Sequence, residues 1–123
     1  MSQKKKVLVA DDDLSIVEVL DIVLRDNGYD VLTTLQADGI TPLLLQKPDM
    51  ILLDIWMSGA NGKDICIKLK SDPDTKHIPV IMFSANRDTK EIAMQAGANG
   101  FISKPFDLSE LLSLVEQHTG KSE

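Results

Sequence analysis

Asp11, Asp12 and Asp13 stand in a row directly after the apolar stretch "VLVA", and Asp54 closes the run "MILLD". Ser84 and Lys104 close two later runs, "VIMFS" and "GFIS" followed by lysine. A carboxylate at the end of an apolar strand is costly to bury unless solvent or a cation compensates it. Should several of these acids share one site, each like pair near 4 Å costs on the order of 4 kcal/mol at an effective dielectric of about 20, before screening. Protonation or a bound cation relieves such repulsion. Oxygen ligands without Cys or His suit a hard ion, Mg²⁺ rather than Zn²⁺, with Mn²⁺ as a substitute.

Whether the acids meet depends on the elements that carry them. "KVLVA" (6–10), "DVLTT" (30–34), "DMILLD" (49–54), "PVIMFSA" (79–85) and "GFISK" (100–104) read as five strands, the third being the most hydrophobic. Pro79 takes the one strand position open to proline, the first. Between them lie helical patterns. Leu14, Val17, Leu20 and Leu24 recur on one face of a first helix that stops at Asn27-Gly28. A second helix is expected over 37–46, short or irregular at its start because of Pro42, and a third over 62–71 with Ile65, Cys66 and Leu69 inward. A fourth is expected over 88–96, stopping at Gly97. Asp107 caps a fifth that runs to about His118, with Leu108, Leu111, Leu112 and Val115 inward. "SGANG" (58–62) reads as a loop.

Apolar strands alternating with helices predict an α/β fold: a doubly wound, five-stranded parallel sheet of order 2-1-3-4-5, with five helices on its two faces. Such sheets bind ligands beyond the carboxyl ends of the strands, at the switch point between strands 1 and 3. That rim is where Asp11–Asp13, Asp54, Ser84 and Lys104 emerge. Each also has a plainer use. Any of Asp11–Asp13 could cap the first helix, and Asp13 is as well suited to capping as to anything else. Ser84 could cap or turn, and a lysine after a strand is ordinarily solvated. Their joint occurrence at one rim is what favours a site.

At these residues the sequence resembles the receiver domain of bacterial two-component response regulators. The motifs are "VLVADDD", "PDMILLDIWMSGANG", "PVIMFSA" and "GANGFISKPF", and their order and spacing cover Lys6 to about His118. The resemblance implies that Asp54 accepts a phosphoryl group from the phosphohistidine of a sensor histidine kinase or a phosphotransfer protein. It implies that Asp12, Asp54 and the backbone carbonyl of Trp56 ligate Mg²⁺, with Asp11 acting through a water, and that Ser84 and Lys104 contact phosphoryl oxygens. It implies a cis Lys104-Pro105 peptide, although an X-Pro bond is more often trans. Ser84 and Phe101 would be the switch pair, coupling phosphorylation to the surface of helix 4, strand 5 and helix 5. That surface would bias a downstream protein target, or an output domain on a longer chain. A carboxylate is a competent nucleophile toward phosphorus.

Some positions depart from the family pattern. Ser58 stands where proline is commonest, and Phe101 replaces the usual tyrosine. Trp56 lies two residues past Asp54, and Asn86 two past Ser84. The Trp56 indole either shields the phosphoryl group from water or packs elsewhere. An Mg²⁺-dependent phosphatase with an aspartyl nucleophile is the enzyme alternative, but it would place a second Asp where Trp56 stands. A phosphorylation-independent pseudo-receiver is the other alternative, opposed by the intact set of Asp11, Asp12, Asp54, Ser84 and Lys104. The expectation is a signalling domain without turnover of an external substrate.

The 123 residues suit one domain, 1–123 with its core at about 6–118. About five residues after the last helix leave no room for an output domain, so the chain is either a stand-alone receiver or a domain from a longer protein. A net charge of −6 opposes direct nucleic-acid binding. Cys66 is the only cysteine, which excludes an internal disulfide and Cys-rich zinc motifs; it reads as a small buried apolar residue. No apolar run approaches the roughly 18 residues a membrane span needs, and the stretch after "KKK" is too short for a signal peptide. A soluble cytoplasmic protein is therefore expected.

Overall fold

Every residue of "MILLD" and "VIMFS" is buried, so neither run offers a side to water. Strands of that kind must lie inside a sheet covered on both faces. The computed structural model, which describes residues 4–57, 60–85 and 89–120, has that arrangement. Five strands, β1 (Lys6–Ala10), β2 (Asp30–Thr34), β3 (Met50–Asp54), β4 (Val80–Ser84) and β5 (Gly100–Ser103), pair in parallel in the order β2-β1-β3-β4-β5. The predicted order is thus found.

Alternation along the strands divides the core into two layers. Leu8, Ala10, Ile51, Leu53, Val80 and Met82 pack with Ile40, Cys66, Leu69 and Ala93 of helices α2 (Ile40–Leu44), α3 (Gly62–Ser71) and α4 (Lys90–Gln95). Val7, Val9, Met50, Leu52, Ile81, Phe83 and Ile102 pack with α1 (Leu14–Asp26) and α5 (Leu108–Thr119) through Val17, Leu20, Leu24, Leu111 and Val115. Asp13, Asn61 and Asp107 cap α1, α3 and α5, each side chain accepting from the backbone N–H two residues on. Gly28, at φ 90°, ends α1 in the left-handed region.

The helix expected over 37–46, short or irregular at its start, is a 3₁₀ turn, Ala37–Gly39, followed by the short α2. Pro42 has no N–H for the carbonyl of Asp38 and its ring crowds that carbonyl, so one α-helix cannot run through both. Leu14 and Leu108, expected to face the core, are exposed, Leu14 by 54%. Each opens a helix that starts at the carboxyl rim, where the first turn stands above the sheet's edge. Within the loop expected at 58–62, Ala60–Asn61 pairs antiparallel with Trp56–Met57. Ser58 and Asn86 lie outside the described residues.

Packing predicts a sharp contrast along α1. Leu20→Ala, in the closed core, costs about 2–5 kcal/mol, whereas Leu14→Ala changes stability by less than about 0.5 kcal/mol. Urea unfolding of the two variants checks this; equal losses would contradict the assigned face.

Candidate functional site

Strand alternation also decides which side chains share the rim. Val9, Leu52, Ile81 and Ile102 all bury in the α1/α5 layer. Two residues beyond them come Asp11, Asp54, Phe83 and Lys104. Period-two geometry therefore directs these four toward the same side of the sheet. β1 and β3 are hydrogen-bonded neighbours, and Asp54 is in register with Phe83 on β4.

The contacts follow from that placement. Lys104 Nζ donates to Asp11 Oδ2 at 2.8 Å and lies 3.5 Å from Asp54 Oδ1. Asp11 is fully buried, and its Oδ1 accepts from the backbone N–H of Asp13 at 2.9 Å. Asp11, Asp12 and Asp54 each offer a carboxylate oxygen, and these oxygens lie within 4.8 Å of one another. Asp12 is exposed, while Asp54 is buried. Asp13 does not join this cluster. It caps α1, accepting from the N–H and hydroxyl of Ser15, and that hydroxyl holds its carboxyl below the ordinary range.

Among the described residues, and with all its carboxylates ionised, the cluster sets three negative charges against one ammonium. The remaining two charges match a divalent cation, and an all-oxygen donor set suits a hard one. Asp54 registers the imbalance: its carboxyl is pushed up to about 6. Burial is the largest cause and the Asp11 charge adds to it, while Lys104 and the backbone N–H of Trp56 pull the other way.

Ser84 is buried at the end of β4, where its carbonyl accepts from Lys104 N–H at 2.8 Å and its register partner is Ser103. Trp56 belongs to the short hairpin after Asp54; its side chain is 53% exposed. Phe101 lies apart from the acids, half-buried beside Met82 in β5 and packed on the α2–α4 layer. The Lys104-Pro105 peptide is cis.

Two features of the site are absent from the sequence reading. Gly62 donates to Ile55 O at 2.6 Å, and a Cβ there would overlap the carbonyl oxygen of Asp54. The start of α3 can thus press against the end of β3 only through glycine. Phe83 lies beneath the Lys104 ammonium, 5.0 Å from the ring centroid. Counting by twos from Ile81 would have found Phe83; nothing in the sequence signals the closeness of Gly62.

Comparison with known proteins agrees with this fold. The family model of the response regulator receiver domain matches residues 7–116. The DNA-binding response regulator MtrA of Mycolicibacterium smegmatis is 35% identical over 99% of this chain and 54% of its own length. The chain spans about half the length of the curated relatives of this kind that it matches. A Chloroflexus aurantiacus crystal structure assigned as a response regulator superposes with a TM-score of 0.90 at 28% identity, over 97% of this chain and 100% of that one. The chemotaxis response regulator CheY4 of Vibrio cholerae gives a TM-score of 0.84 at 27% identity, over 94% of this chain and 98% of that one.

The raised Asp54 carboxyl has a consequence for stability in metal-free buffer. Its pKa in the fold, about 6, exceeds the ordinary 3.8, so ionising Asp54 costs folding energy above pH 6. Asp54→Asn removes that cost and stabilises the domain by about 1–3 kcal/mol at pH 7. The gain fades as the pH falls from about 6 toward 3.8, where the wild-type carboxyl is protonated in both states. Urea unfolding across that range, with chelator present, checks it; a gain that does not vary with pH would contradict the assigned cause.

Proposed function

The chain belongs to the response regulator receiver domain family, a family of signalling domains, and from that premise we propose that Asp54 is its phosphoacceptor. What carries the assignment is the Lys104 ammonium, 2.8 Å from Asp11 and 3.5 Å from Asp54, in a carboxylate cluster left two negative charges in excess. An Asp54 oxygen forms the new O–P bond as the N–P bond of a phosphohistidine breaks, and the electron pair stays on the leaving imidazole nitrogen. Such a transfer needs positioning and charge neutralisation above all. Lys104, reaching over Asp54, supplies a charged donor to the incoming phosphoryl oxygens.

Asp12, Asp54 and the backbone carbonyl of Trp56 would hold Mg²⁺, or Mn²⁺ in its place, with Asp11 contributing through a water. When bound, the ion neutralises the excess charge and polarises a phosphoryl oxygen. Buried Ser84 is the switch hydroxyl, and half-buried Phe101 couples it to the face formed by α4, β5 and α5. The donor is a sensor histidine kinase or a phosphotransfer protein. The recipient of the signal is a downstream protein or an output domain on a longer polypeptide. We take residues 1–123 as one receiver unit, in the cytoplasm; among the described residues no helix is long and apolar enough to cross a membrane. A net charge of −6 opposes direct contact with nucleic acid, so the DNA binding named for MtrA is not assigned to this unit. A phosphatase is disfavoured because Trp56 stands where its acid–base carboxylate would be.

Incubation with Mg²⁺ and acetyl phosphate should add one phosphoryl group by intact mass. The gain disappears in Asp54→Asn and under a chelator; undiminished labelling of Asp54→Asn would refute the assignment. The exposed indole of Trp56, in the hairpin that follows Asp54, shields the aspartyl phosphate from water. Trp56→Ala should therefore lose the phosphoryl group faster than the parent. The decay of phosphorylated protein after removal of the donor measures this, and an unchanged half-life would contradict shielding.

A further inference from the structure

Lys104 leaves β5 just past its last strand residue, on a long flexible stem, yet only 16% of its side chain is exposed. Its ammonium has two carboxylates on one side, Asp11 and Asp54. On another side lies the ring of Phe83, with the Nζ 5.0 Å from the ring centroid and over its face. That distance is within the range of an attractive cation–π contact, which strengthens as water is excluded. Phe83 is fully buried, and Phe106 meets it edge-on, centroids 6.0 Å apart at 80°. Its backbone is held in register between Asp54 on β3 and Ile102 on β5, and its ring is packed against Phe106.

We infer that Phe83 is a positioning residue for phosphoryl transfer: its ring, braced by Phe106, holds the Lys104 ammonium at the acid cluster. This rests on the phosphoacceptor reading of Asp54. The carboxylates alone do not fix the ammonium. A bound cation competes with Lys104 for the same oxygens, and as they are taken up the attraction toward Asp11 and Asp54 weakens. The quadrupole of the ring is not titrated, ligated or consumed, so it retains the ammonium at the rim when the carboxylates are otherwise engaged. An aliphatic side chain of similar bulk fills the space without that attraction.

The test is a double-mutant cycle on Phe83 and Lys104. Phe83→Leu should react with acetyl phosphate and Mg²⁺ about 3- to 10-fold more slowly than the parent, the range expected of a partly desolvated cation–π contact. In the Lys104→Ala background the same substitution should cause no further slowing, because Phe83 acts through Lys104. In metal-free protein the Lys104 Hε resonances should lie upfield in the parent, under the ring current, and move downfield in Phe83→Leu. Phe83→Met provides a second aliphatic variant, and thermal unfolding confirms that each is folded at the assay temperature. Equal slowing in both backgrounds, or Lys104 resonances that do not move, would overturn the inference. A parent that reacts while Phe83→Leu reacts at the same rate overturns the role of Phe83 alone. A parent that gains no phosphoryl group overturns the phosphoacceptor reading and this inference with it.

Discussion

The Lys104 ammonium sits between two carboxylates that arrive from different strands, Asp11 from β1 and Asp54 from β3. Asp11 is fully buried, and a buried carboxylate is tolerable only with a charge partner and its remaining lone pairs satisfied. Lys104 and the backbone N–H of Asp13 meet those needs. The same ammonium, shared with Asp54, does not suffice for a second buried carboxylate, which is why the Asp54 carboxyl is shifted upward. Among the described residues the site sets one cation against three acids, so it is poised to accept positive charge.

The architecture exists to make this arrangement unavoidable. Parallel pairing brings the carboxyl ends of β1, β3, β4 and β5 to one edge, and every connection returns through a helix to the opposite edge. Asp11, Asp54, Phe83 and Lys104 then converge by the same alternation that buries Val9, Leu52, Ile81 and Ile102. The polar rim and the apolar layer beneath it are thus successive repeats of one pattern. Gly62 adds a local constraint, because the start of α3 is pressed against the Asp54 backbone without room for a side chain. Trp56 and Met57 pair antiparallel with Asn61 and Ala60 just before α3 begins.

The two faces of the sheet carry different side chains. The α1/α5 layer lies beneath Asp11, Asp54, Lys104 and the Phe83–Phe106 pair. Phe101 packs on the layer of α2, α3 and α4, one residue before Ile102 in the same strand. A strand whose adjacent residues face opposite layers is suited to relaying a change at one face to the other. β5 carries Phe101 and ends at Ser103, one residue before Lys104.

The sequence by itself determined the strand set, the parallel order and the convergence of the acids, since apolar runs of strand length and period-two alternation are local properties of the chain. "MILLD" and "VIMFS" could lie only in a sheet covered on both faces, and their terminal residues could emerge only at its rim. It did not divide labour among Asp11, Asp12 and Asp13, because capping and charge pairing call for the same side chain; tertiary contacts gave Asp13 to α1 and Asp11 to Lys104. The exposure of Leu14 and Leu108 was likewise settled by three-dimensional placement. The overlap that only Gly62 avoids belongs to tertiary structure alone, because it depends on how closely the start of α3 approaches the end of β3, which no local pattern encodes.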